Sequence, residues 1–82
     1  MKINKNEIVH TVLKYEYYDA IDGDNKVIEY RDDTPFWRKR LDTKKYIVFH
    51  RAYTNVTMMF KIKCVEYNWG IIEIYLGERI NV

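Results

Sequence analysis

The sequence predicts one small α+β domain, built on a curled mixed or antiparallel β-sheet or partial β-barrel of about five strands with two short helices. Two properties predict this class. The chain of 82 residues is long enough for a single domain only. It is 48% hydrophobic and 32% charged, as folded proteins are, and several segments alternate apolar and polar side chains in the manner of half-buried strands.

The first two predicted elements are a strand and a helix. β-Branched residues dominate positions 7–14, which favours a strand there. Large side chains then recur every three residues over positions 15–22, so they form one stripe along a helix of two turns. Gly23 follows at the point where a helix commonly ends through a residue in the left-handed conformation.

A second strand and a second helix come next. Residues 26–31 alternate with period two, which predicts a strand with one face inward. Thr34 is held extended by the proline after it, and an N-cap residue needs that same conformation. Pro35 lacks the amide hydrogen that the first turn of a helix would leave unpaired. The sequence therefore predicts a short helix from Pro35 to about Leu41.

Three further strands complete the predicted sheet. Residues 46–50 are a short apolar run, typical of a strand covered on both faces. Residues 55–66 form a long alternating strand, and a turn at 67–70 should pair it with residues 71–76 as a hairpin. A long alternating strand in so small a protein tends to curl, which favours a partial barrel. The inward side chains of the long strand are predicted to be Met58, Phe60, Ile62 and Cys64.

The residue types exclude several classes of protein. Cys64 is the single cysteine, so the chain has no internal disulfide. With His10 and His50 it gives too few, too widely separated ligands for a zinc site, and we predict neither a metal nor a cofactor. No apolar run approaches the ~18–20 residues that cross a membrane, and the polar N-terminus lacks the apolar stretch of a signal peptide. These features predict a cytoplasmic protein without a membrane partner.

Charge is distributed unevenly along the chain. Residues 1–33 carry five basic and eight acidic side chains, and residues 34–82 carry nine basic and four acidic ones. The two parts therefore differ in net charge, −3 against +5. One interpretation is an ordinary solvated surface. The other is a positive patch that attracts phosphate, centred on the basic run Arg38–Arg40.

The order strand, helix, glycine and then a strand bearing Lys-x-x-Glu-x-Arg resembles the start of the ASCH domain family, which belongs to the PUA/EVE-like superfamily. Here the helix reads Tyr17-Tyr18-Asp19-Ala20-Ile21, and the strand carries Lys26, Glu29 and Arg31 after Gly23. One departure is that two residues separate Gly23 from Lys26, where the family usually has one. In element order the resemblance extends over residues 13–65.

The resemblance implies a binding module for RNA, a nucleotide or a modified nucleobase, held in a cleft at the barrel mouth. Some members of the superfamily are similar to amidohydrolases that act on acylated cytidine, with a Thr three positions after a Lys. Glu29 occupies that position here, so the resemblance leaves the enzymatic status open. In an enzyme of amidohydrolase or ribonuclease type, Lys26 would be the activated amine or base, Glu29 its acid/base partner and His50 a helper.

The chemistry of individual side chains leads to a candidate site. Arg31 can grip a phosphate or a base edge with its forked guanidinium, and Glu29 can accept from an exocyclic amine. Phe36 and Trp37 are adjacent on one helical turn, so one should pack and the other lie on the rim; an exposed Trp37 would be a platform for stacking a base. The predicted ligand-binding residues are Lys26, Glu29, Arg31, Trp37, Arg40, His50 and Arg51.

A third hypothesis is a compact protein-interaction or inhibitor domain. It predicts an exposed apolar patch of tyrosine and tryptophan in place of a polar cleft. The sequence leaves the choice among these functions open, and it leaves the oligomeric state open too.

Overall fold

The computed structural model describes residues 3–23 and 27–80. After a 3-10 turn at Lys5–Glu7, the chain forms seven elements, and the two helices alternate with the first three strands. The elements are β1 (Ile8–Leu13), α1 (Tyr15–Asp22), β2 (Ile28–Asp32), α2 (Pro35–Leu41), β3 (Tyr46–Arg51), β4 (Thr57–Asn68) and β5 (Ile71–Ile80).

The five strands form one mixed sheet with the order β1-β3-β4-β5-β2. The pairing of β1 with β3 is parallel, and the other three pairings are antiparallel. The sheet curls into a half-barrel that carries the two helices, so the predicted α+β class and partial barrel are confirmed. In this order β1 and β2 are the two outer strands, and each has one edge that no strand of the described residues pairs.

The core contains side chains from both helices and from four of the five strands. The largest side chains with almost no exposed surface are Phe49, Ile21, Ile47, Ile72 and Ile74. Alternation explains the contribution of β5, because every second residue from Ile72 to Leu76 is buried. Burial of several such side chains, each worth ~1.5–3 kcal/mol, is the main stabilising contribution in a domain of this size.

Local sequence determines the two helices. In α2, Thr34 is extended and its hydroxyl accepts from the backbone N–H of Trp37 at 3.2 Å, the capping bond expected from its position before Pro35. In α1, the helix ends at Gly23 as predicted, but the expected left-handed conformation is wrong. Gly23 has φ −85° and ψ 11°, and its N–H still bonds to the carbonyl of Asp19. The helix therefore ends in a right-handed turn that any residue type can adopt.

The long strand β4 contains an irregularity that the alternation did not predict. The register with β5 shifts twice, between Phe60 and Ile62 and again between Ile62 and Cys64. At the second shift one extra residue of β4 enters the ladder, and an extra residue exchanges the two faces of a strand. The inward position predicted for Cys64 is therefore wrong: its side chain is exposed, and Val65 packs against the core.

The turn between β4 and β5 has two residues, Trp69 and Gly70. Both have positive φ, 53° and 79°. Positive φ at both central residues is what a type I′ hairpin turn requires, because its twist matches that of the flanking strands. The predicted hairpin is confirmed, and its strands extend beyond the predicted ends, to Asn68 and Ile80.

Candidate functional site

A cleft of about 410 Å³ lies between the edges of β1 and β2, where the half-barrel stays open. The end of β1 forms one wall, β2 forms the other, and α1 contributes a tyrosine ring. The lining residues are Val12, Leu13, Lys14, Tyr17, Glu29, Tyr30 and Arg31. Glu29 and Arg31, predicted from their spacing to share one face of a strand, therefore border the same cleft.

Glu29 is a buried carboxylate on an outer strand, with only 5% of its surface exposed. Its Oε1 accepts from the backbone N–H of Tyr30 at 2.9 Å, and its Oε2 lies 3.7 Å from Nη2 of Arg31. The carbonyl of Val27 accepts from the N–H of Leu76 in β5, and the N–H of Asp33 donates to the carbonyl of Gly70 just before β5. Since every second residue pairs in this way, Tyr30 directs its N–H away from β5. The Glu29 side chain thus pairs a donor at the open edge of the sheet.

The guanidinium of Arg31 is incompletely hydrogen-bonded. Its Nε and Nη2 are buried and have no hydrogen-bond partner among residues 3–23 and 27–80. The distance of 3.7 Å between Nη2 of Arg31 and Oε2 of Glu29 is short enough for an ion pair but too long for a hydrogen bond. On its other side, the guanidinium carbon lies 4.9 Å from the centre of the Trp37 ring. Arg31 also lines a second hollow of about 230 Å³ with Trp37 and Ile71, so it separates two concavities.

Trp37 is half-buried and packs against the core, whereas Phe36 is 63% exposed. One aromatic packs and the other lies on the rim, as expected: the rim residue is Phe36, and Trp37 is the packed one. The reason is that two cations cover the ring, Arg31 and Arg40, the latter at 5.3 Å from its centre. Arg40 also donates from Nη2 to the carbonyl of His10 in β1.

His50 and Arg51 lie apart from this cleft. Arg51 forms two hydrogen bonds with the carboxylate of Asp19, at 2.9 and 3.0 Å, and lies 4.6 Å from the centre of the Tyr15 ring. The hydrogen bonds from Arg51 hold the pKa of Asp19 below its ordinary value. Nε2 of His50 lies 3.1 Å from Nδ1 of His10 on the outer face of β1 and β3.

The His10–His50 pair has one electrostatic consequence. Burial lowers the pKa of His10 below its ordinary 6.5, and the nearby His50 and Arg40 lower it further. The ring of His10 is therefore neutral at neutral pH, and one of the two facing nitrogens can donate to the other.

Lys26, the last of the predicted site residues, lies outside the described residues. Within the described part of the chain, no group of three or more His, Cys, Asp or Glu side chains could hold a metal ion. None of the helices described is long and apolar enough to cross a membrane.

The sequence-based prediction missed five of the seven residues that line the cleft, among them the polar and aromatic Lys14, Tyr17 and Tyr30. Tyr17 and Tyr30 are each about half exposed, at 50% and 48%. A signal for both was present, because each aromatic ring falls on the polar side of its own element: Tyr17 lies off the buried stripe of α1, and Tyr30 lies between the inward Glu29 and Arg31 of β2. The identity of the cleft depends on which strand edges meet, and the pattern along one strand does not encode that.

No protein-family model matches this sequence, and no curated protein matches it either. The resemblance to ASCH domains therefore stays a prediction.

Proposed function

We propose that this protein is a small ASCH-like module that binds a nucleotide or an RNA base in the cleft between β1 and β2. One observation carries the proposal: the buried Nε and Nη2 of Arg31 have no hydrogen-bond partner among the described residues. A buried donor without a partner costs about 1–3 kcal/mol, more when it is charged, and an acceptor on a ligand removes that cost. Phosphate oxygens and the carbonyl edges of bases are such acceptors.

The other residues of the cleft fit the same ligand class. Its volume of about 410 Å³ falls in the range of ~300–1,000 Å³ found for small-molecule sites. The rings of Tyr17 and Tyr30 offer aromatic surface for stacking, worth ~1–3 kcal/mol per base. Lys14 adds a positive charge at the rim, which attracts phosphate. Glu29, 3.7 Å from Nη2 of Arg31, holds that guanidinium at the wall of the cleft.

Binding is favoured over catalysis by the present bonds of Glu29. Its Oε1 already accepts from Tyr30, and its Oε2 is paired with Arg31. A general base must reach the proton that it removes. Here the carboxylate instead orients Arg31 and pairs an edge amide, a role that serves recognition.

Mass spectrometry of the purified protein, followed by titration, tests the proposal. We expect a nucleotide or RNA fragment to co-purify, and we expect the affinity for it to fall about tenfold or more in Arg31→Met, with weaker binding at higher salt. Arg79→Met is the matched control, because Arg79 pairs with Asp22 at 2.6 Å and does not line the cleft. If no ribonucleotide or single-stranded RNA binds, or if both variants lose affinity equally, the proposal fails.

A further inference from the structure

The outer edge of β1 has backbone groups that no strand pairs. The carbonyl of Leu13 accepts from Ala52 of the chain beyond β3, so Val9, Thr11 and Leu13 direct their backbone groups towards β3. The alternate residues, His10 and Val12, direct theirs outwards. No backbone group of the described residues outside β1 bonds to the N–H of His10 or of Val12.

Helix α2 faces this edge and forms a groove with it. The groove measures about 580 Å³, the largest of the hollows described here, and runs beside the first half of β1. Phe36 projects into solvent at its rim, with 63% of its surface exposed. The lining residues are Ile8, Val9, His10, Phe36, Lys39, Arg40 and Lys44. A strand edge beside a helix, with an apolar floor, is the geometry that accepts an extended chain by strand addition.

Three cations line the groove, and among residues 3–23 and 27–80 no acidic residue does. Two of them are already hydrogen-bonded to backbone carbonyls: Arg40 donates to the carbonyl of His10 in β1, and Lys44 donates from Nζ to the carbonyl of Asn6, in the turn before β1, at 2.7 Å. Arg40 therefore occupies one carbonyl of the β1 edge, whereas no side chain of the described residues bonds to the N–H of His10 or of Val12. The edge therefore presents donors and positive charge, which are complementary to carbonyl acceptors and carboxylates.

We propose that the groove between β1 and α2 binds an acidic peptide in extended conformation, which adds to the edge of β1 as a sixth strand. Main-chain bonds to His10 and Val12 hold the peptide, its acidic side chains pair with Lys39, Arg40 and Lys44, and an apolar side chain packs against Phe36. The groove shares no lining residue with the proposed nucleotide cleft, but the two adjoin at Val12, which lines the cleft.

A second copy of this chain is a poorer occupant. Pairing of two β1 edges would bring the basic residues of both grooves together, and like charges across an interface oppose association. A nucleic-acid strand would satisfy the cations, but it lacks the alternating carbonyl and amide groups that match a strand edge. The apolar residues Ile8, Val9 and Phe36 along the floor and rim also favour a peptide.

A blocked peptide of about eight residues, alternating valine and glutamate, is the probe. We expect it to shift the amide resonances of His10 and Val12 and to slow their hydrogen exchange, because both N–H groups become bonded. The same peptide with alternate backbone nitrogens methylated should bind about tenfold more weakly or worse, and a valine–lysine peptide should not bind.

Substitutions in the protein test whether the lysines of the groove bind the acidic side chains of the peptide. The double substitution Lys39→Ala/Lys44→Ala should weaken binding of the acidic peptide about tenfold, and Lys61→Ala/Lys63→Ala, two exposed lysines of β4 outside the groove, should leave it unchanged. Absence of peptide binding, or equal binding of the methylated peptide, overturns the proposal. So does binding of oligouridylate at the same amides without the peptide, or dimerisation that protects them. Arg31→Met should not affect the peptide, which separates this site from the nucleotide cleft.

Discussion

The Oε2 atom of Glu29 lies 3.7 Å from Nη2 of Arg31, close enough for ion pairing and too far for a hydrogen bond. Both side chains are largely buried, with 6% of Glu29 and 21% of Arg31 exposed. The pair is held between β2 and α2, since Trp37 covers the other side of the guanidinium. The guanidinium is therefore held in one orientation at the wall of the cleft, which lowers the cost in side-chain entropy when a ligand binds.

The first prediction concerns the stability of this pair. Arg31→Met should lower the free energy of unfolding by about 1–3 kcal/mol, because it removes the positive charge that lies 3.7 Å from the buried Glu29 carboxylate. The double variant Glu29→Gln/Arg31→Met should recover part of the loss. Urea unfolding of the two single variants and the double variant measures the coupling; additive effects would show that the ion pair contributes nothing.

The second prediction concerns pH. The folded-state pKa of His10 lies below the ordinary 6.5 that applies in the unfolded chain. The unfolded state therefore takes up the proton first, so stability is constant above about pH 6.5 and is lost as the pH falls through the folded-state pKa. His10→Gln should remove this part of the acid loss. Unfolding by urea at about pH 7.5 and about pH 5.5 should show a smaller decrease for the variant than for the natural sequence. A parallel decrease in both proteins would contradict this assignment.

The third prediction concerns the hairpin turn. Trp69 has φ 53°, a conformation that costs a residue with a β-carbon roughly 1–2 kcal/mol, and it is 98% exposed, so no packing offsets the cost. Trp69→Asn should therefore raise the free energy of unfolding by ~0.5–1 kcal/mol, since Asn-Gly is the preferred type I′ pair. Gly70→Ala is the opposite test, because Gly70 has φ 79° and any β-carbon there is strained. If Trp69→Asn destabilises the protein, the indole has a packing role.

Much of the fold follows from patterns within single segments. Alternation over residues 26–31 and 71–76 indicated two strands of a half-buried sheet, because a strand with one covered face must repeat every two residues. Thr34 and Pro35 marked the start of α2 to the residue, since capping is chemistry between neighbours. These signals are local, and the sequence alone displays them.

The candidate site was harder to predict. The pairing of Glu29 with Arg31 follows from their spacing, and both residues line one cleft. Its opposite wall comes from the end of β1, about fifteen residues earlier in the chain, and becomes adjacent only because the sheet curls. Arg51 was assigned to the site because it ends a strand, but Asp19 of α1 pairs with it instead. Contacts between distant elements are not encoded in the pattern of one segment.

The last prediction tests the register shift in β4, where the alternation failed. If the extra residue exchanges the faces of the strand after Ile62, then Val65 is an inward residue and Cys64 an outward one. Val65→Ala should lower the free energy of unfolding by about 1–2 kcal/mol, because it removes two methyl groups that pack against the core. Cys64→Ala should change it by less than about 0.5 kcal/mol, as exposed substitutions usually do.

Reaction of the native protein with a thiol reagent gives an independent measurement of the same register. Cys64 is exposed, so it should react at nearly the rate of the unfolded chain without prior unfolding. A strand without the shift would bury Cys64 beside Ile62 and expose Val65, which reverses both stability effects and makes the thiol react only as fast as the protein opens. Slow labelling, together with a large loss of stability in Cys64→Ala, would therefore show that β4 alternates without interruption and that the register shift is absent.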